Sequence, residues 1–418
     1  MKKFLAVLLS AAMVLGIAGC GSSTETTETA EGEETTETAG VAASDIKVGF
    51  IFIGDENEGY TYAHYEGALK MRDELGLTDD QIIYKWNVPE DESCYDAAVD
   101  LAEQGCNIIF ANSFGHEDYV LQAAEEYPDV QFCHATGYKA ATSGLSNVHN
   151  YFANIYEARY VAGVVAGMKL AELYGADTDA KIGYVGAYSY AEVKSGYTAY
   201  FLGVRSICPN VTMEVKYTGS WADQALEKET AEALIADGCV LISQHADTTG
   251  AATACEAAGV CDVGYNVSMI DAAPNYALVS SAINWGSYYT YAVKCMLDGE
   301  TIPVDWCHGH SDNAVLLTEL NEVAIAEGTE EKVEEVWAAI DSGELKVFDT
   351  SKWTVGGETI TSTANLEGFN GVEYISPDGY FMESEIASAP AFSFVVDGIT
   401  ELNRSEERRV GKECRSRW

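Results

Sequence analysis

The chain has 418 residues, 47% of them hydrophobic, and 24 Lys and Arg against 66 Asp and Glu give a formal net charge of −42. This length predicts one large or two medium domains with a substantial core. The shortage of basic residues argues against nucleic-acid binding, which needs clustered Lys and Arg, and against docking on an anionic membrane through charge alone. After the first twenty residues no apolar stretch is long enough to span a bilayer, which excludes a polytopic membrane protein.

Residues 1–20 have the layout of a secretory signal peptide, with Lys2 and Lys3 before an apolar run and small residues leading to Cys20. The end of this run resembles a bacterial lipobox, in which cleavage leaves the cysteine as a lipid-carrying N-terminus. An uncleaved anchor helix is the alternative, although the apolar run is short for a span. We therefore expect an extracytoplasmic protein that is lipid-anchored to the bacterial cell membrane through Cys20.

Two further segments are expected to lie outside the fold. Residues 21–44 contain six Glu, many Thr and no aromatic residue, which predicts a disordered acidic linker, with a docking tail as the alternative. Residues 404–418 hold six of the 24 basic residues and resemble the translation of a sequencing-library adapter, so we interpret them as an artefact and not as a natural basic tail. Most of the negative charge therefore belongs to the folded part between them.

The cysteines between these segments do not form an evident disulfide framework, because their number is odd and no CxxC spacing occurs. Several adjoin strand-like runs, which favours small buried apolar residues, although one pair such as Cys255 and Cys261 could be bridged. These cysteines are Cys94, Cys106, Cys133, Cys208, Cys239, Cys255, Cys261, Cys295 and Cys307.

From residue 47 onward, short β-branched runs alternate with amphipathic helical stretches. The predicted strands are 47–53, 81–86, 107–112, 130–135, 181–187, 212–219, 239–244, 260–265 and 276–284. The first helices are predicted near 62–75, 95–104 and 117–127, and a long helical period covers 149–175. This alternation predicts an α/β fold in which two Rossmann-like lobes with parallel sheets are separated by one long helix.

Ligands of open α/β sheets bind outside the carboxyl ends of the strands, so the residues that follow each strand are the candidate site. These loops are rich in Tyr, Trp, Phe, Asn, Asp and His and poor in Lys and Arg. Such a lining suits a flat, uncharged heterocycle or a sugar, whereas phosphate would need Gly-rich turns and basic residues.

The sequence offers little support for catalysis or metal binding. It contains no GxSxG, HExxH or SxxK motif. His308-Gly309-His310-Ser311-Asp312 could supply metal ligands, but no second ligand cluster accompanies it. Asp247 could act as a base, but in a binding cleft it would accept hydrogen bonds from an amine or hydroxyl. We expect no enzyme activity, no cofactor and no metal.

Several strings at strand ends resemble the basic membrane protein (BMP) family of substrate-binding lipoproteins, which includes purine nucleoside receptors of ABC importers. The strings are Tyr60 with Glu66-Gly67, NVPE (87–90), NSFG (112–115), HATGYK (134–139), YEARYVAG (156–163), GSWAD (219–223), QHADTT (244–249) and NWGSYY (284–289). The resemblance runs from about Lys47 to Asn403.

The resemblance implies a type I periplasmic-binding-protein clamshell that closes on a purine base or nucleoside and delivers it to ABC permease subunits. It implies that Tyr60 and Trp221 stack on the ligand and that Asp247 hydrogen-bonds it, often at a ribose. Further ligand-binding residues expected are Asn112, Ser113, Phe114, Tyr188 and Trp285, the last near a hinge crossing. We expect lobe 1 to comprise 45–151 and 284–320, lobe 2 to comprise 152–283, and a C-terminal segment, 321–403, to pack across the lobes.

The first loop departs from the nucleoside receptors, since it reads Glu56-Asn57-Glu58-Gly59-Tyr60 where they carry an Asn-Asp pair and Ser-Phe. With the NVPE and HATGYK strings it is closer to a branch associated with free nucleobases, so base and nucleoside both stay open. Three other functions also stay open: a tethered sensor that signals to a membrane receptor, a secreted nucleoside hydrolase, and a receptor for a different solute such as a sugar.

Overall fold

A computed structural model describes residues 40–403. The predicted signal peptide with Cys20, nearly all of the acidic linker and the basic segment 404–418 lie outside the described residues. Within 40–403, no helix is both long enough and apolar enough to cross a membrane. The nine cysteines in this part of the chain are all free thiols, eight of them buried and Cys307 partly exposed.

Strands and helices alternate along the described chain. The strands are β1 (Val48–Ile51), β2 (Ile82–Lys85), β3 (Ile108–Ala111), β4 (Gln131–Ala135), β5 (Val148–Ala153), β6 (Lys181–Gly186), β7 (Thr212–Tyr217), β8 (Leu241–Gln244), β9 (Cys261–Tyr265), β10 (Ala277–Ile283), β11 (Asp305–His308), β12 (Val315–Leu317) and β13 (Ile399–Glu401). The helices are α1 (Gly59–Leu75), α2 (Glu92–Glu103), α3 (Glu117–Glu126), α4 (Ala140–Ser143), α5 (Ile155–Tyr174), α6 (Ala191–Ile207), α7 (Gln224–Ala236), α8 (Gly250–Ala258), α9 (Trp285–Asp298) and α10 (Thr329–Asp341).

The strands form two sheets, one in each lobe. The sheet of lobe 1 has six parallel strands in the order β11-β5-β4-β3-β1-β2, and that of lobe 2 has seven in the order β12-β10-β9-β8-β6-β7-β13. In the second sheet β12 runs antiparallel to β10, while the other pairs are parallel. The central strands are buried because helices cover both faces of each sheet, which explains the apolar sequences of strands such as β1 and β3. The predicted α/β fold with two Rossmann-like lobes is confirmed.

All nine predicted strands are present within a few residues of their expected limits. The long helical stretch predicted for 149–175 is wrong in its first part, because 148–153 forms β5 and the helix begins at Ile155. This segment pairs with β4 on one side and with β11 on the other. A local helical period could not reveal these pairings, because β11 lies about 150 residues further along the chain.

Three crossings join the lobes. The chain leaves lobe 1 after β5, returns after β10, and crosses again through the short turn His310–Asp312 between β11 and β12. From sequence we assign 315–317 to lobe 1, yet it pairs with β10 in the second sheet. The lobe boundary therefore differs from the expected one. β12 pairs with the edge of the lobe 2 sheet formed by β10, a contact that the local sequence does not reveal.

The C-terminal segment contacts both lobes. Its last strand, β13, pairs with β7 in lobe 2. The backbone N–H of Ser388 donates to Asp305 in β11 of lobe 1, at 2.7 Å from Oδ2. Aromatic side chains of this segment, including Phe348, Phe381 and Phe392, pack with ring centroids 4.5–6.4 Å apart and join the main hydrophobic core.

Helices α5 and α6 pack backbone to backbone at two glycines. A Cβ on Gly163 would lie 2.1 Å from the carbonyl oxygen of Tyr200, and one on Gly203 would lie 2.0 Å from that of Tyr160. Such distances leave no room for a methyl group, so the absence of a side chain sets how closely these helices approach. The packing fixes α5, the helix of the first crossing, onto lobe 2.

We expect Gly163→Ala to lower the free energy of unfolding by about 1–3 kcal/mol, because the methyl group meets a backbone carbonyl that cannot move alone. Helix propensity alone predicts that this substitution raises the free energy of unfolding, since Ala is favoured over Gly in a helix by about 1 kcal/mol. Urea unfolding followed by circular dichroism measures the change. Leu173→Ala, at an exposed position of the same helix, is the control and should change stability by no more than about 0.5 kcal/mol. A stabilised Gly163→Ala variant would contradict this packing.

Candidate functional site

A cavity of about 180 Å³ lies between the two lobes at the carboxyl ends of their strands. None of the side chains lining it within the described chain is a lysine or an arginine. The lining comprises Ile53, Gly54, Glu58, Tyr60, Asn112, Ser113, Phe114 and Thr136 from lobe 1, and Glu192, Trp221, Ala222, His245, Asp247 and Tyr265 from lobe 2. Each of these residues follows a strand, ends one, or begins the helix after it, as the rule for open α/β sheets predicts.

Six of the eight ligand-binding residues expected from sequence line this cavity. They are Tyr60, Asn112, Ser113, Phe114, Trp221 and Asp247. Tyr188 does not belong to the lining; its ring packs against Trp221 with the centroids 5.4 Å apart and the planes at 63°. Trp285 also lies outside it, as a buried residue at the start of α9.

Tyr60 is held from behind by buried aromatic rings. Its ring meets His64 edge-on at 4.5 Å and Trp285 at 5.9 Å, and the latter two stack at 3.8 Å with 18° between their planes. The Tyr60 hydroxyl donates to the Asn112 carbonyl at 2.5 Å. Trp285 therefore acts as a support for the predicted stacking ring and does not contact the cavity.

Asn112 joins two loops of lobe 1 and retains an unused donor. Its Oδ1 accepts a hydrogen bond from the Ile53 backbone N–H at 2.9 Å. Its Nδ2 is buried and has no hydrogen-bond partner in the described chain. A buried amide without a partner is costly, so this donor is available for a ligand.

Asp247 is buried and accepts a hydrogen bond from Asn266 Nδ2 at 2.7 Å. Burial raises the pKa of this carboxyl well above its usual range, and neighbouring carboxylates, Glu58 foremost, add to the effect. The closed arrangement therefore favours the neutral acid, which can donate a hydrogen bond as well as accept one.

Five residues of the lining with polar or aromatic side chains were not singled out from the sequence. They are Glu58, Thr136, Glu192, His245 and Tyr265. All of them lie in the strand-end loops that the sequence marks, or at a strand end itself, so their position was the available signal. The backbone conformation of each loop determines which side chains point toward the cavity. The sequence pattern does not reveal this conformation.

In the lobe 2 wall the buried ring of His245 contacts two polar side chains, Glu192 and Tyr184. His245 Nε2 lies 3.2 Å from Glu192 Oε1, and its Nδ1 lies 3.4 Å from the hydroxyl of Tyr184. The guanidinium of Arg159 stacks over the ring of Tyr265 at 3.7 Å. Burial, with the positive charge of Arg159, lowers the pKa of His245 to about 4, so the ring is neutral near pH 7.

The lobes contact each other directly across the cleft. The backbone N–H of Gly59 donates to the Asp247 carbonyl at 3.3 Å. At the mouth, the half-exposed rings of Phe114 and Tyr190 lie 6.2 Å apart with 29° between their planes. The cavity is therefore bounded by both lobes in this conformation.

The histidine-rich turn has structural partners of its own. His308 Nδ1 lies 3.1 Å from Asp312 Oδ2, while His310 pairs with Asp341 and stacks on Trp337 at 3.8 Å. Within residues 40–403, no group of three or more His, Cys, Asp or Glu side chains is arranged to hold a metal ion.

Two parallel α/β lobes with an enclosed cavity at their strand ends define a solute-binding protein of the periplasmic-binding-protein type. A family model described as ABC transporter substrate-binding protein, PnrA-like (Bmp), matches residues 46–350. The chain belongs to this family.

Individual relatives agree with this assignment. A purine-binding protein of Brucella abortus is 33% identical over 76% of this chain and 89% of its own length. A protein of Haloferax volcanii, provisionally named as an ABC transporter glucose-binding protein, is 29% identical over 70% of this chain and 76% of its own. An ABC transporter solute-binding protein of Conexibacter woesei shares the fold, with a TM-score of 0.61, 21% identity and coverage of 72% of this chain and 98% of that structure. All three are named as binding proteins.

A buried carboxyl supports the loop that carries Asp247. Glu227 in α7 accepts hydrogen bonds from the Thr248 hydroxyl at 2.7 Å and backbone N–H at 3.1 Å. Burial raises the pKa of Glu227 from 4.5 to about 7. The folded protein therefore keeps a proton that the unfolded chain loses, and the free energy of unfolding falls as the pH rises across this interval.

Between pH 5 and pH 8 the free energy of unfolding should fall by about 2–3 kcal/mol more in the wild type than in Glu227→Gln. The reason is that the amide cannot ionise. Urea unfolding at both pH values measures the difference. Glu229→Gln, at an exposed position of the same helix, should follow the wild type. Equal pH dependence in wild type and Glu227→Gln would contradict the raised pKa.

Proposed function

We propose that this protein captures a purine base or nucleoside in the cavity between its lobes and delivers it to ABC permease subunits. The observation that carries the proposal is the lining: Tyr60 and Trp221 come from opposite lobes, and hydrogen-bonding groups lie among them. Among residues 40–403, no lysine or arginine lines the cavity to hold a phosphate or carboxylate. The 33% identity to a purine-binding protein over most of both chains supports the same ligand class.

The two aromatic rings would hold the base by stacking. Stacking of a base on an aromatic side chain contributes about 1–3 kcal/mol, and each lobe supplies one such ring to the cavity lining. Tyr60 is braced by His64 and Trp285, and Trp221 by Tyr188. Little side-chain freedom is then left to lose on binding, which favours affinity.

Hydrogen bonds would set the specificity. Asn112 Nδ2 offers a donor from lobe 1, and Asp247 faces it from lobe 2 as a carboxyl whose neutral form is favoured. A ligand that lacks the matching groups leaves these buried atoms unpaired, which costs more than a missing surface contact. The neutral form of Asp247 can donate to a ring nitrogen of a base, so a ribose is not required for it to bind.

Transport would follow from closure of the lobes. Ligand contacts on both sides of the cleft favour the closed conformation, and that conformation presents the outer faces of both lobes to the permease. We further propose that Cys20 carries the lipid that holds the protein at the outer face of the cell membrane, with the acidic linker as a tether. A sensor that hands the closed form to a membrane receptor would use the same cavity and differs only in its partner.

Isothermal titration of residues 40–403, unfolded and refolded to remove bound ligand, tests the ligand class. We expect micromolar or tighter binding of at least one of adenine, adenosine, guanosine and inosine, with one-to-one stoichiometry and no release of free base from the nucleosides. Glucose is the comparison ligand, because the Haloferax volcanii relative is named for it. Glucose binding without purine binding would replace the proposal by a sugar receptor, and release of base would indicate a hydrolase.

We expect Trp221→Ala to weaken purine binding about 5- to 150-fold, since about 1–3 kcal/mol of stacking is lost, without unfolding the domain. Tyr174→Ala, which removes an exposed aromatic ring at the end of α5, is the matched control and should bind as the wild type does. Titration with the ligand found above, alongside thermal melting, measures both. Unchanged affinity in Trp221→Ala would remove this ring from the binding site.

A further inference from the structure

We propose that Glu192 determines specificity in this cavity by accepting a hydrogen bond from an exocyclic amine of the base, and that His245 positions it. The inference rests on the proposed purine-binding function. It narrows the substrate class to amino-substituted purines.

Three carboxyl groups of the described residues line the cavity, and two of them are poorly suited to accept a hydrogen bond from an amine. Glu58 is the N-cap of α1: its Oε1 accepts from the Tyr60 N–H at 2.6 Å and its Oε2 from the Thr61 N–H at 2.9 Å. Both oxygens are therefore used to begin the helix. This carboxylate shapes the wall and leaves little capacity for a ligand.

Asp247 is the second carboxyl, and it already accepts from Asn266 at Oδ1. Its burial beside other carboxylates favours the neutral acid. A neutral acid donates its proton readily but is a weaker acceptor than a carboxylate. Asp247 is therefore suited to a ring nitrogen and less suited to an amine.

Glu192 differs from both. It lies in the first turn of α6, where the helix N-terminus favours negative charge. Within residues 40–403, the only hydrogen bond to its carboxyl is the one from His245 to Oε1 at 3.2 Å. The side chain is 20% exposed and lines the cavity, so Oε2 remains as an acceptor for a ligand N–H.

His245 fixes the orientation of this acceptor. Its Nδ1 faces the Tyr184 hydroxyl, which can donate to it, so the proton of the neutral ring belongs on Nε2 and points at Glu192. Arg159 lies close to His245, because both side chains approach the same point beside Gly196. A Cβ built on Gly196 would be 2.9 Å from His245 Nδ1 and 3.5 Å from Arg159 Nε. A buried cation so near disfavours a second proton on the ring, which keeps His245 a single donor.

The opposite wall supplies the complementary group. Asn112 Nδ2 is a donor without a partner, on lobe 1, while Glu192 is an acceptor on lobe 2. A base that presents both an acceptor and an amine satisfies both walls only when the lobes are closed around it. An exocyclic amine therefore couples recognition to closure.

The test compares ligands that differ by one exocyclic amine: adenine with unsubstituted purine, and guanosine with inosine. We expect wild type to prefer the amine-bearing member of at least one pair by tenfold or more, since hydrogen bonds to charged groups are worth more than neutral ones. In Glu192→Gln the preference should fall to about threefold or less, because the amide is uncharged and cannot satisfy His245 and the amine together. Isothermal titration gives both ratios.

Glu214→Gln is the matched control, because the Glu214 side chain on β7 is also 20% exposed and pairs with Lys181 on the neighbouring strand β6. It should retain the wild-type preference. His245→Phe tests the positioning role, because it keeps an aromatic ring beside Trp221 and Tyr265 but removes the hydrogen-bond donor to Glu192. We expect this variant to bind the amine-bearing ligand more weakly, with a preference between those of the wild type and Glu192→Gln.

The outcomes separate the two proposals. If wild type binds purines without preferring the amine, or if Glu192→Gln keeps the full preference, the role of Glu192 is overturned while purine binding stands. If wild type binds no purine, the proposed function itself fails and this inference fails with it. A preference that disappears in Glu192→Gln and persists in Glu214→Gln supports it.

Discussion

The parallel direction of the strands is the constraint on which the rest of the molecule depends. Parallel strands end at the same edge of a sheet, so each lobe gathers its strand-end loops on one side. The three crossings then place those two edges opposite each other. Residues as distant in sequence as Tyr60 and Tyr265 become walls of one cavity, although neither lobe alone could enclose a ligand.

Enclosure changes the chemistry of the acidic side chains that line the cavity. In water a protein with a net charge of −42 keeps its carboxylates ionised and separated. Within the closed cleft, Asp247 is removed from solvent close to other carboxylates, and its raised pKa is the consequence. A ligand that supplies hydrogen bonds offsets the cost of bringing these groups together. In the proposed function, ligand capture and lobe closure would therefore be coupled through electrostatics as well as through stacking.

The sequence predicted the central strands well because they are buried on both faces and read as apolar runs bounded by turns. It failed where structure depends on distant partners: β5 has a helical sequence pattern, and the short strands β11, β12 and β13 form only by adding to existing edges. The site shows the same division. Strand-end positions indicate the correct loops. In the loop after β6, however, the sequence favours Tyr188 as the ligand-binding residue, whereas Glu192, four residues later, lines the cavity.

Trp285 shows why aromatic residues near a binding site need not touch the ligand. It is fully enclosed between His64, Tyr60 and neighbouring rings, and it begins the helix of the second crossing. Trp285 thus supports the Tyr60 ring, which lines the cavity, and also lies at the second crossing between the lobes. Movement of that connection would be transmitted to Tyr60 through packed rings that cannot deform independently. The orientation of the cavity ring and the relative position of the lobes are therefore linked by packing, through a residue that does not line the cavity.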